Sequence, residues 1–135
     1  MGTWAADPFG NDTACDWKYG IEETDDLSVI QRSITRVLEI GDEYLEAPEA
    51  EEAIAAADTL ARLRGQFYVR NAYTESLDEW VAKHPIDPPQ GLVDDAIRAM
   101  ERVLSEPSEL LELWMEGDGT EWQAQMKALN ERLKK

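Results

Sequence analysis

Asn11, Asp12 and Asp16 are the residues of this chain whose types and spacing come nearest to a chemical site. Asp12 and Asp16 are one helical turn apart, so on a helix their carboxylates share a face and could share a divalent cation, as in a small metal-dependent hydrolase. The same residues also suit a helix start. There an Asn or Asp side chain accepts from the free N–H groups of the first turn, and negative charge meets the positive end of the helix dipole. Capping outweighs coordination on that comparison, so the expected reading has no metal and no cofactor.

Other chemistries find less support. A di-iron site in a four-helix bundle needs two Glu-x-x-His pairs, and the chain has one histidine, His84, which precedes Pro85 and suits a helix C-terminus. Cys15 is the only cysteine; it has no histidine near it in sequence, can form no intramolecular disulfide, and reads as a small buried apolar residue. The serines lie in no nucleophile-elbow motif. Paired carboxylates carry no information here, because the chain holds 29 acidic residues. No catalytic residue is assigned.

The elements that must position these residues read as helices, and no stretch alternates with a strand's period of two. One helix opens at Asn11 or Asp12 and runs through Ile21. A second starts near Asp25 or Asp26 and carries Leu27, Ile30, Ile34, Val37, Leu38 and Tyr44 at helical spacing. Pro48 suits the first turn of an alanine-rich helix ending at Gly65, whose small side chains permit close approach of a neighbour. Residues 65–73 form an aromatic connector that spacing leaves open. Ser76 with Glu79 resembles a capping box, "HPIDPPQG" must be loop, Leu92 to Leu104 is helical, Pro107 fits the first turn of the next helix, and Thr120 fits as N-cap of the last. The expectation is an all-α single domain over 1–135, a bundle of about six helices. Residues 1–10 form an irregular arm pinned by Trp4 and Phe9, while Trp17, Trp114 and Trp122 serve as apolar anchors.

Charge bears most directly on partners. With 29 acidic against 13 basic residues, a net charge of −16 and a pI near 4.3, the chain is ill suited to nucleic acid or to an anionic membrane surface. No run of about twenty apolar residues and no secretory-type start is present, which with the single cysteine fits a cytoplasmic protein. The acids are uneven. Between Glu39 and Asp58 stand Glu39, Asp42, Glu43, Glu46, Glu49, Glu51, Glu52 and Asp58 with no base, and a second base-free run spans Glu106 to Glu121. Such runs on a rigid scaffold can steer a basic protein, as inhibitors of nucleases do; they also serve solubility. The first expectation is therefore a non-enzymatic interaction protein, immunity or antitoxin-like, that binds through the acids from Glu39 to Glu52. The alternatives are the hydrolase above, or a structural subunit self-associating through Phe67, Tyr68 and Tyr73.

The motifs also carry a resemblance. Gly2-Thr3-Trp4 with Phe9, then Asn11-Asp12-x-Ala14-x-Asp16-Trp17, resembles the opening of a small bacterial family, domain of unknown function 4259. "EYLEAPEAEEAIAAAD" at 43–58 is similar to its alanine-rich helix, "SELLELW" at 108–114 to its tryptophan box, and Trp122 with Leu129 and Leu133 to its tail. Ala5 and Ala6 depart from glycines that many members carry. The resemblance supports the boundaries and brings no catalytic residues with it.

Overall fold

The computed structural model describes residues 6–67 and 70–135. Among them are seven helices and no strand: α1 (Asp12–Glu22), α2 (Ser28–Ile40), α3 (Ala47–Leu63), α4 (Glu75–Lys83), α5 (Gln90–Val103), α6 (Glu109–Met115) and α7 (Thr120–Lys134). The all-α expectation holds, with one helix more than the bundle of six. No helix among the described residues is long and apolar enough to cross a membrane.

α3 is the axis of the domain and packs against all six other helices. Its sequence permits this: residues 53–62 are buried without interruption, and five of them are alanines, whose small side chains let helices close in from several directions. Around it, α2 contributes Ile30, Ile34 and Val37, α5 contributes Val93, Ala96, Met100 and Val103, and α7 contributes Trp122, Met126, Leu129 and Leu133. α2 ends at Ile40 rather than reaching Tyr44, because Gly41 takes a left-handed φ of 61° and turns the chain out of the helix.

Buried charge, which hydrophobic patterning does not reveal, runs through the same helix. Asp58 and Arg62 are one turn apart on α3, with Arg62 Nε 2.9 Å from Asp58 Oδ2. Arg62 Nη1 donates to Asp78 Oδ1 of α4 at 2.6 Å, and Arg132 Nη2 of α7 lies 2.7 Å from Asp58 Oδ1. Arg132 also donates twice to the carbonyl of Gln66, at 3.0 and 2.7 Å. Two carboxylates and two guanidiniums thus compensate one another inside the fold, as buried charges must. Burial alone would depress the Arg62 pKa, but Asp58 and then Asp78 outweigh it and hold the guanidinium above its ordinary value. The guanidinium also faces the rings of Phe9 and Phe67, at 5.9 and 5.8 Å from their centroids. One side chain of α3 therefore touches the N-terminal arm, the connector and α4.

Local caps follow short-range chemistry, with three corrections. Asn11 caps α1, its Oδ1 accepting from the N–H of Ala14 at 2.7 Å. Ser76, expected in a capping box, instead lies inside α4; it accepts from Lys18 Nζ at 3.1 Å and donates to Glu22 at 2.9 Å, tying α4 to α1. Thr120 is the first residue of α7 rather than its cap. Asp118 holds that start, accepting from the Thr120 N–H at 3.0 Å and its hydroxyl at 2.5 Å, and these bonds pull the Asp118 carboxyl below its ordinary pKa. Pro107 stands before α6, where its carbonyl serves a neighbouring segment.

Candidate interaction surface

The two acidic runs meet at a backbone junction. After Gly41 the chain is not helical again until Ala47, and the buried Leu45 anchors this stretch while Tyr44 and Glu46 on either side stay exposed. The N–H of Leu45 donates to the carbonyl of Pro107 at 3.1 Å, and the N–H of Glu109 donates to the carbonyl of Leu45 at 2.8 Å. Leu45 and Ser108 thereby form an isolated parallel bridge.

Arg102 fastens the junction from α5. Its Nε donates to the carbonyl of Gly41 at 2.7 Å, its Nη1 to Ser105 at 2.8 Å, and its Nη2 to Glu43 and Pro107 at 2.7 and 2.9 Å. The guanidinium fork suits this work, since it presents several donors in a fixed plane. Glu109 adds a third tie: its Oε1 accepts from the N–H of Ala47 at 2.7 Å, so α3 is capped by the second acidic run. Glu46, at the N-cap position, makes no side-chain cap of its own.

The result is a shared acidic face around Tyr44. The Tyr44 hydroxyl donates to Glu112 Oε1 at 3.3 Å. Desolvation, then the Glu112, Glu109 and Glu46 carboxylates, push that hydroxyl above its ordinary pKa. Glu39, Asp42, Glu43 and Glu46 are exposed on the first run, and Glu106, Glu112 and Glu116 on the second.

The expected partner-binding acids divide. Glu39, Asp42, Glu43 and Glu46 face outward, whereas Glu49 and Glu52 are half-buried, and Glu52 stands 3.6 Å from Arg36. Burial is the main cause that raises the Glu52 pKa, with Arg36 opposing it. Glu51 does not belong to the surface. It is 8% exposed and lines a cavity of about 10 Å³ with Asp7, Asn11, Trp114 and Trp122. Asp58, the last acid of the run, is at 1% exposure in the ion network. Neighbours explain both: Glu51 is covered where residues 6–8 and the tryptophan box close over α3, and from Ala53 to Arg62 every face of the helix is an inner face.

The other expected sites fall out as follows. Asp12 and Asp16 are both exposed on α1, and among the described residues no group of three or more His, Cys, Asp or Glu side chains is placed to hold a metal ion. Cys15 is half-buried rather than fully enclosed; its thiol approaches the Phe9 carbonyl at 3.5 Å, and burial pushes its pKa up. Phe9 is buried at 1% exposure, and Trp4, the other expected anchor of the arm, lies outside the described residues. Trp17 is buried with its indole N–H donating to Ser33 Oγ at 2.9 Å. Trp122 is buried and Trp114 half-buried, their rings parallel within 5° at 5.9 Å. Phe67 and Tyr73 are exposed, and Tyr68 lies outside the described residues. Arg102 and Arg132 are the positioning residues that sequence reasoning missed. Arg132 reads as a basic tail residue at the end of α7, yet it is 7% exposed.

Comparison with known proteins adds a family and no activity. No curated protein and no solved structure matches the chain at a significant level. The tryptophan box and the arm, which meet at the cavity beside Glu51, both lie within the stretch that the family's model matches, residues 2–125 of the 135, and the chain belongs to that family, the domain of unknown function DUF4259.

Proposed function

We propose that this chain is a non-enzymatic interaction protein that captures a basic protein on the acidic face around Tyr44, in the manner of an immunity or antitoxin-like inhibitor of a nuclease. The observation that carries the reading is the convergence of two base-free acidic runs, distant in sequence, on one junction that Leu45, Glu109 and Arg102 hold in place. Fixed carboxylates on a rigid scaffold raise the association rate of a positively charged partner and disfavour negatively charged ones. An exposed tyrosine at the centre supplies an aromatic contact of the kind enriched at interface hot spots.

The test is capture from the native cells at low and at raised salt, with wild type and a Glu43→Gln/Glu46→Gln/Glu112→Gln variant run side by side. The expected result is an identified protein of basic pI that the wild type retains and the variant loses. Equal retention by both proteins, or no basic protein with either, overturns the reading.

A further inference from the structure

His84 ends α4 in an unusual setting for a partly exposed histidine, because both ring nitrogens face acceptors. Nδ1 is 2.8 Å from the carbonyl oxygen of Trp80, and Nε2 is 2.9 Å from Asp25 Oδ1 in the loop between α1 and α2. A backbone carbonyl has no proton to give, and an ionised carboxylate has none either. Neutral imidazole carries one N–H and can serve one of these partners; only imidazolium, with two, serves both. The ring also stacks on Trp80, centroids 4.5 Å apart at 21°, and the Trp80 indole N–H donates to the carbonyl of Thr24 at 2.8 Å. α4 thus grips the α1–α2 loop at two adjacent points, one of them ionisable.

We propose that His84 is a proton-gated latch: protonated, it fastens the α1–α2 loop to the end of α4 through Asp25, and deprotonated, its single N–H serves one acceptor at a time, so that the Asp25 tie weakens and the loop is held there by the Trp80–Thr24 bond. The charged groups facing the ring are Asp25 from the loop and Lys83 from its own helix; the neighbouring Asp26 is occupied by the N–H and hydroxyl of Ser28, at 3.0 and 2.6 Å. The hydrogen bond to Asp25, then that to the Trp80 carbonyl, hold the imidazole above its ordinary pKa of 6.5, opposed by desolvation and, more weakly, by Lys83. The latch is independent of the acidic face.

The chain's single histidine makes the test unambiguous: ¹⁵N-resolved NMR of the full chain, titrated from acid to mildly alkaline pH, reads one imidazole. The latch predicts two protonated ring nitrogens at low pH, a midpoint above 6.5, and backbone amides of Thr24, Asp25 and Asp26 that shift with that same midpoint. Asp25→Asn, at a side chain 94% exposed and so tolerant of substitution, should lower the midpoint. It should also uncouple the loop amides, while Lys83→Gln raises the midpoint. A midpoint at or below 6.5, a midpoint unmoved by Asp25→Asn, or loop amides that do not follow the imidazole would each refute the latch.

Discussion

The N–H of Glu109 donates to the carbonyl of Leu45 at 2.8 Å, and through that bond acids from two runs far apart in the chain share one face. Glu109 carries two roles at once, since its carboxylate also caps α3 at Ala47. The acidic surface is therefore built into the scaffold rather than draped on it.

Like charges held together repel, so the face should cost stability. The double variant Glu46→Gln/Glu112→Gln is expected to melt about 1–3 °C higher than wild type at low ionic strength, the size expected from removing a few weak surface repulsions. In about 1 M salt, where the Debye length is roughly 3 Å, the difference should vanish. Thermal melts at the two salts check this; a variant that melts lower at low salt would mean the carboxylates stabilise the junction.

Arg102 is expected to be intolerant of lysine. A single ammonium on a flexible stem cannot reproduce donation from three nitrogens to the carbonyls of Gly41, Glu43, Ser105 and Pro107. Arg102→Lys should cost about 1–3 kcal/mol in urea unfolding, in line with leaving part-buried acceptors unserved. Amide hydrogen exchange should quicken at 42–45 and 105–109 while α3 stays protected.

The ion network makes an asymmetric prediction. Arg62→Met leaves Asp58 and Asp78 inside the fold without their shared guanidinium and should cost about 3–5 kcal/mol. Adding Asp58→Leu and Arg132→Met, which leaves of the network only Asp78 with its exposed partner Arg70, should recover a large part of that loss, because a buried ionic cluster and an apolar one of similar volume are close in free energy. Chemical denaturation of the single and triple variants checks it; simple additivity of the losses would contradict the network.

Legibility in the sequence followed interaction range. Asn11 was readable as a cap because its acceptor and donor are three residues apart, and the alanine stripe of α3 announced close packing. Asp58 counted only as the last acid of its run, although Arg62 stands one turn on, and nothing local marks Asp78 or Arg132 as partners, 16 and 70 or more residues away from one or the other. Ser76 and Thr120 look like caps and are not, because Lys18 with Glu22, and Asp118, offered stronger partners. The acidic runs were countable from the start. Their meeting was not, since it depends on backbone bonds between Leu45 and the segment around Ser108.

Stability should carry the His84 signature with a definite sign. A group whose folded pKa is raised stabilises most when it is protonated in the unfolded chain as well, that is below its unfolded value near 6.5, and the contribution is lost as pH rises through the folded value. The melting temperature of wild type relative to His84→Gln should therefore be greatest in mild acid and shrink towards alkaline pH. Parallel melting curves for the two proteins across that range would remove the coupling.

The most direct test of the acidic face is the association rate of the captured basic protein, measured by stopped flow against ionic strength for wild type and for Glu43→Gln/Glu46→Gln/Glu112→Gln. Electrostatic capture predicts a wild-type rate that falls steeply with salt and a variant that is slower at low salt and nearly flat, the two curves converging at high salt. Rates that coincide at every salt concentration would contradict the account.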